Sequence, residues 1–168
     1  MDDKRKHDFS DTIAQSDMIN DYTKGWLNAV SEAMKEFDSE TAEKITMRAA
    51  HVCEKNWHDH MSEHGYDLNS HDLPSFVKSL NEHVKEQGPE GYARMEDKDS
   101  VIVVFKPGKC VCPLVVSGYL KPSFNLCSCP NRVFEITLEK VTLKNVKSEC
   151  ISSFAAGDDS CTFRARVL

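Results

Sequence analysis

The sequence predicts an α+β domain in which N-terminal helices pack on an antiparallel sheet. Three observations carry that prediction. Apolar residues recur at steps of three or four through most of the first ninety positions. A short β-branched run, "SVIVVF" at 100–105, then breaks the period. Near the end, two alternating runs flank a Gly-Asp turn. Helices first and strands afterwards, with one helix inserted, is the order of a fold that segregates its elements. A chain of 168 residues can bury a core of its own, so residues 1–168 are read as one domain. Within it, 1–90 form a helical half and 91–168 a cysteine-rich αβ half.

Taken in order, residues 17–37 place Ile19, Tyr22, Trp26, Val30, Ala33 and Phe37 on one apolar stripe of a helix. Asp38 and Ser39 interrupt it, with Ser39 as the expected N-cap of a helix over 40–64. That second helix has Ala42, Ile45, Ala49, Cys53, Trp57, His60 and His64 down its expected inner side. The segment "GYDLNSHD" reads as a loop, and Asp72 or Pro74 opens a third helix striped by Leu73, Phe76, Val77, Leu80 and Val84. "EQGPEG" at 86–91 ends it, because Gly-Pro cannot continue a helix. After the strand at 100–105 come a "KPGK" turn, the cysteine-rich segment and a helix over 130–141 with Pro130 in its first turn. Val146, Ser148, Cys150, Ser152 and Phe154 share one face of the first alternating run. Cys161, Phe163, Ala165 and Val167 share a face of the second. Gly157, Asp158 and Asp159 read as a structural turn, since a calcium loop needs more carboxylates at regular spacing.

Charge narrows the function classes. With 21 basic and 27 acidic residues the chain carries a net −6, which argues against broad phosphate binding and hence against nucleic acid. The N-terminus "MDDKRKHDFSDTIAQSD" lacks the apolar region of a signal peptide, and no run of apolar residues is long enough for a membrane span. The cytoplasm is the expected compartment, and there seven cysteines are expected as thiols.

Those thiols are the main chemical signal. Cys-x-Cys-Pro occurs twice, at Cys110, Cys112 and Pro113 and at Cys127, Cys129 and Pro130. Fourteen residues separate Cys112 from Cys127, the length of many zinc-site loops. Four thiolates can surround one zinc ion at about 2.3 Å each, and iron–sulfur or copper(I) centres use the same soft ligands. Cys110, Cys112, Cys127 and Cys129 are the candidate metal ligands, with Cys53 on the second helix as a fifth. Two alternatives stay open: the thiols simply pack as small apolar groups, or they carry redox or nucleophilic chemistry. A helix starting at Pro130 would favour thiolate at Cys127 and Cys129, which serves ligation and attack equally. His60 and His64 have the i,i+4 spacing of a metal grip, but "HMSEH" has no glutamate directly after the first histidine, as a metalloprotease motif requires.

The tail "VFEITLEKVTLKNVKSECISSFAAGDDSCTFRARVL", closing on Gly157, Asp158, Cys161 and Phe163, resembles vinyl-4-reductase-like and L-2-amino-thiazoline-4-carboxylic acid hydrolase-like domains. "CVCPL" and "LCSCP" look like the cysteine-rich bacterial and archaeal branch of that family, whose members often carry a cysteine on the second helix. The chain departs from the pattern at "TLKNV", where glycine is common. The resemblance implies a TRAPP-subunit-like fold with a twisted antiparallel sheet and a small-molecule pocket between helices and sheet. It also implies, as an alternative to binding, hydrolysis of a small cyclic thiazoline-type C–N bond by a thiolate- or metal-activated water. The leading expectation is a cytoplasmic domain binding a small ligand or zinc between the second helix and the sheet, with a homodimer among the expected assemblies.

Overall fold

The computed structural model describes the backbone of residues 9–66, 68, 71–86, 91–105, 110, 112–121 and 127–168, with side chains from residue 20 onward. The expected turns within 87–90 and 106–109, part of the 65–72 loop, the N-terminal eight residues and the side chain of Ile19 lie outside the described residues.

Helix α1 spans Phe9–Ala33 and runs into a 3-10 turn, Met34–Glu36. Its expected inward stripe faces solvent instead: Tyr22 is 74% exposed and Trp26 57%, and Val30 and Phe37 are exposed too. Polar contacts hold α1 to the rest. Asn28 donates to the Tyr119 carbonyl at 3.0 Å and accepts from the Lys121 amide at 3.1 Å, while the Tyr119 hydroxyl donates to Asn20 at 3.0 Å.

Helix α2, Ser39–Glu63, is capped by Asp38 rather than Ser39. The Asp38 carboxylate accepts the Thr41 amide at 2.8 Å, satisfying an amide that has no partner within the helix. The buried face of α2 consists of Thr46, Ala50, Glu54 and Met61, with Trp57 packed on the core. It is rotated by one residue, about 100°, from the expected stripe. Ala49, Cys53, His60 and His64 are therefore exposed. The rotation is permitted because Lys140, from a helix later in the chain, reaches in to neutralise Glu54, which is only 1% exposed.

Helix α3, Leu73–Glu86, starts where Asp72 accepts the Ser75 amide at 2.8 Å and buries Leu73, Phe76, Leu80 and Val84 as its spacing predicts. Strand β1, Gly91–Met95, was not foreseen; it pairs antiparallel with β2, Ser100–Phe105. Gly91 faces Phe105 so closely that a Cβ would lie 2.5 Å from the Val104 carbonyl oxygen, which explains glycine there. A short helix α4, Pro113–Val116, precedes α5, Ser128–Thr142. Strands β3, Val146–Ser152, and β4, Cys161–Val167, form the expected hairpin, with Gly157 at φ 101° in the turn.

The sheet order is β1-β2-β4-β3, antiparallel throughout. Alternation puts Val101 and Val103, opposite Ala165 and Phe163, on the helix side of the sheet. There Phe76, Met61, Leu138 and Val141 complete one core cluster with Val101, Val103 and Ala165. Burying each such side chain contributes about 1.5–3 kcal/mol. The outer edge of β1 is closed by α3: Asn81 accepts the Ala93 amide at 2.7 Å and donates to its carbonyl at 2.9 Å. The fold is thus α+β, helices against an antiparallel sheet, as expected. Among the described residues, no helix is long and apolar enough to cross a membrane.

Candidate functional site

A groove of about 640 Å³ opens between the start of α2 and the start of α5. Met34, Phe37, Ala42 and Thr46 form one wall, and Cys127 and Cys150 lie on the other. Its rim is an ion-pair bridge. Arg132 of α5 donates to Glu43 of α2 and to Glu135 one turn along its own helix, both at 2.5 Å. Burial would raise the Glu135 carboxyl, but hydrogen bonds from the Ser148 amide and hydroxyl, joined by Arg132, hold it below the usual range. Asn131 also lines the groove, and its Oδ1 is buried without a partner among the described residues.

Two of the seven cysteines, Cys127 and Cys150, line this groove. None of the seven cysteines is in a disulfide. Cys127 caps α5, is 6% exposed, and lies 2.7 Å from the Ser153 hydroxyl. Burial pushes its thiol up despite that contact, and burial likewise raises Cys110. Cys150 donates to the Ser152 carbonyl at 3.2 Å and is raised to about 11, chiefly by burial and then by the charges of Cys127 and Cys161. Cys161 accepts the Phe154 amide at 3.4 Å. Cys53 differs from all of these. It is exposed on α2, and a hydrogen bond from the Cys129 thiol lowers it to about 7. The same bond, together with burial, pushes Cys129 upward.

Of the five candidate metal ligands, the structure thus joins Cys53 to Cys129 and sets Cys110, Cys112 and Cys127 within electrostatic reach of one another. Cys112 is also felt by Cys129, which links the two groups. Among the described residues, no three His, Cys, Asp or Glu side chains are arranged to hold a metal ion. The rings of His60 and His64 lie tilted by 43° with centroids 4.2 Å apart, and His83 of α3 meets His60 edge-on at 5.4 Å. The His64 Nδ1 is 2.8 Å from the His60 carbonyl. Spacing alone did not reveal Arg132, Glu43 or Asn131, because the groove joins segments some ninety residues apart. The one available signal was an arginine and a glutamate at i,i+3 on the same helix, Arg132 and Glu135.

No protein-family model matches the chain, and no curated protein matches it. Among solved structures, it is similar to a trafficking protein particle complex subunit 3 from Naegleria fowleri covalently bound to palmitic acid. The identity is 16%, the TM-score is 0.57, and the match covers 92% of this chain and 96% of that one.

Proposed function

We propose that this chain is a cytoplasmic small-ligand-binding domain that holds an apolar, acyl-type molecule in the groove between α2 and α5. The observation that carries the reading is the groove itself. Its volume of about 640 Å³ falls within the range of small-molecule sites, and its walls are Met34, Phe37, Ala42, Thr46 and two thiols. Apolar walls would take the body of such a ligand, gaining about 0.8 kcal/mol per buried methylene. Asn131 and Arg132 at the rim would fix its polar end. The fold neighbour's palmitic acid supports the ligand class. Binding is favoured over hydrolysis because both groove thiols are pushed up by burial, and a thiol held protonated is a poor nucleophile.

Hexadecanoate titrated into the protein tests this. Ala42→Trp, which fills the groove from the half-buried side of α2, is expected to weaken binding at least about tenfold, or 1.4 kcal/mol, with the circular dichroism unchanged. Equal affinity in the variant, or no saturable binding by the unmodified chain, would remove the groove from consideration. Elemental analysis of the same samples checks the thiol-metal reading: near one equivalent of zinc, lost in Cys112→Ser, would favour it over an organic ligand.

A further inference from the structure

We propose that the outward face of α1 is a self-association surface, on which a second copy of this chain packs through an antiparallel, two-fold contact. The surface does not depend on what the groove binds. The carrying observation is a helix turned inside out. Asn20, Lys24 and Asn28, each one turn from the next, face the body of the chain. The Tyr119 hydroxyl donates to Asn20, and the Lys24 ammonium lies 5.8 Å from the Tyr119 ring centroid. Asn28 bonds the Tyr119 carbonyl and the Lys121 amide. The opposite face presents Tyr22, Gly25, Trp26, Ala29, Val30 and Ala33, all exposed and none charged. A helix on the surface of a soluble monomer does the reverse, because leaving a contiguous apolar stripe in water is unfavourable.

Shape, area and charge say what covers this face. Tyr22, Trp26 and Val30 form an i,i+4 ridge, and Gly25, Ala29 and Ala33 form a shallow furrow of small residues beside it. A ridge and a furrow on one helix are complementary to the same pair on a second copy brought up by a two-fold axis. Trp26 of each copy then seats over Gly25 and Ala29 of the other. Gly25 has no use within its own chain: among the described residues, a Cβ there would meet nothing within 4 Å, and glycine inside a helix is unfavourable. Close approach of another helix gives it one. Tyr22 and Trp26 are 74% and 57% exposed, which leaves roughly 300 Å² open at about 150–250 Å² per aromatic side chain. With Val30 and the small residues, two copies would bury about 1,000 Å² of apolar surface, the nonpolar share of a standard interface of about 1,600 Å². Charge argues against a lipid surface as the occupant, since helices that lie on membranes carry free basic residues along their polar face. Here Lys24 is turned to Tyr119 and Lys35 is paired with Glu32 at 2.7 Å, while Asp21, Glu32 and Glu36 are exposed.

Sedimentation velocity on the full chain tests this. The expected species has twice the single-chain mass at about 10 μM and dissociates on dilution. Trp26→Glu places a charge in the contact, and Gly25→Leu fills the furrow. Each is expected to raise the dimer dissociation constant at least about a hundredfold, because each change enters the contact twice. Gly25→Leu favours the helix and meets nothing within its own chain, so its circular dichroism should match that of the unmodified protein. Tyr92→Glu, at an exposed aromatic on β1, should leave the dimer intact. An unmodified chain still monomeric at about 200 μM, a dimer that survives both α1 variants, or equal loss in Tyr92→Glu would each overturn the proposal. So would a monomer that floats with phosphatidylcholine vesicles and loses them in Trp26→Glu, which would assign the face to lipid.

Discussion

Leu143 ends α5 in the left-handed region, at φ 56° and ψ 29°. A side chain with a Cβ is strained there, and helix ends of this kind favour glycine. Nothing in the packing demands leucine, since the residue is 72% exposed. Leu143→Gly is therefore expected to stabilise the fold by about 0.5–1 kcal/mol, net of the extra freedom glycine gives the unfolded chain. A thermal midpoint raised by about 2 °C would agree with this, and a lowered one would refute the strain argument. This detail was half legible in the sequence. "TLKNV" has leucine where the resemblance would put glycine, but sequence alone does not report the backbone angle that the departure costs. Gly157 was fully legible, because a turn between two alternating runs calls for a residue that tolerates positive φ.

At the scale of elements, periodicity found α2, α3, α5, β2 and the terminal hairpin but misjudged the phase of α2. Cys53, His60 and His64 look more buriable than Glu54 and Thr46, so the apolar stripe was drawn one residue off. What reversed it was a partner 86 positions away, Lys140, whose ammonium reaches the buried Glu54 carboxylate while staying half exposed. Glu54 Oε1 has no partner among the described residues, so the pair is incompletely satisfied. Removing either side should then have unequal effects. Lys140→Ala leaves a buried charge and is expected to cost about 1–3 kcal/mol, whereas Glu54→Met should be neutral or stabilising. Urea unfolding of the two variants checks this, and equal losses would contradict it. Strand β1 escaped notice for a different reason. Its five residues include glycine and arginine, and it is held by pairing to β2 and by the Asn81 side chain rather than by any pattern of its own.

For the whole molecule, the α+β class followed from the order of elements, but the groove did not, because it exists only once Met34–Thr46 and Cys127–Cys150 are folded together. Layer packing also creates a pH dependence. His83 of α3 is buried against His60 and His64 of α2, with Tyr66 edge-on and Glu86 near by. Burial lowers its affinity for a proton, and the two neighbouring histidines lower it further when charged, against a smaller opposing effect of Glu86. The folded state therefore binds this proton less readily than the unfolded chain, where histidine titrates near 6.5. The stability tied to neutral His83 is whole above about pH 6.5 and fades as the pH falls toward the lower folded value. Thermal midpoints from pH 7.5 to 5.5 should drop more steeply in the native chain than in His83→Gln. Parallel slopes would mean that His83 is not the group responsible.

Strand β4 lies between β2 and β3, yet it is the last of the four to be made. On a translating ribosome, residues 100–105 and 146–152 emerge with the slot between them empty, and each offers a row of unsatisfied amides and carbonyls until 161–167 clears the exit tunnel. The nascent chain is thus most open to stray pairing just before its central strand arrives, and that late insertion is the step a folding helper would have to guard.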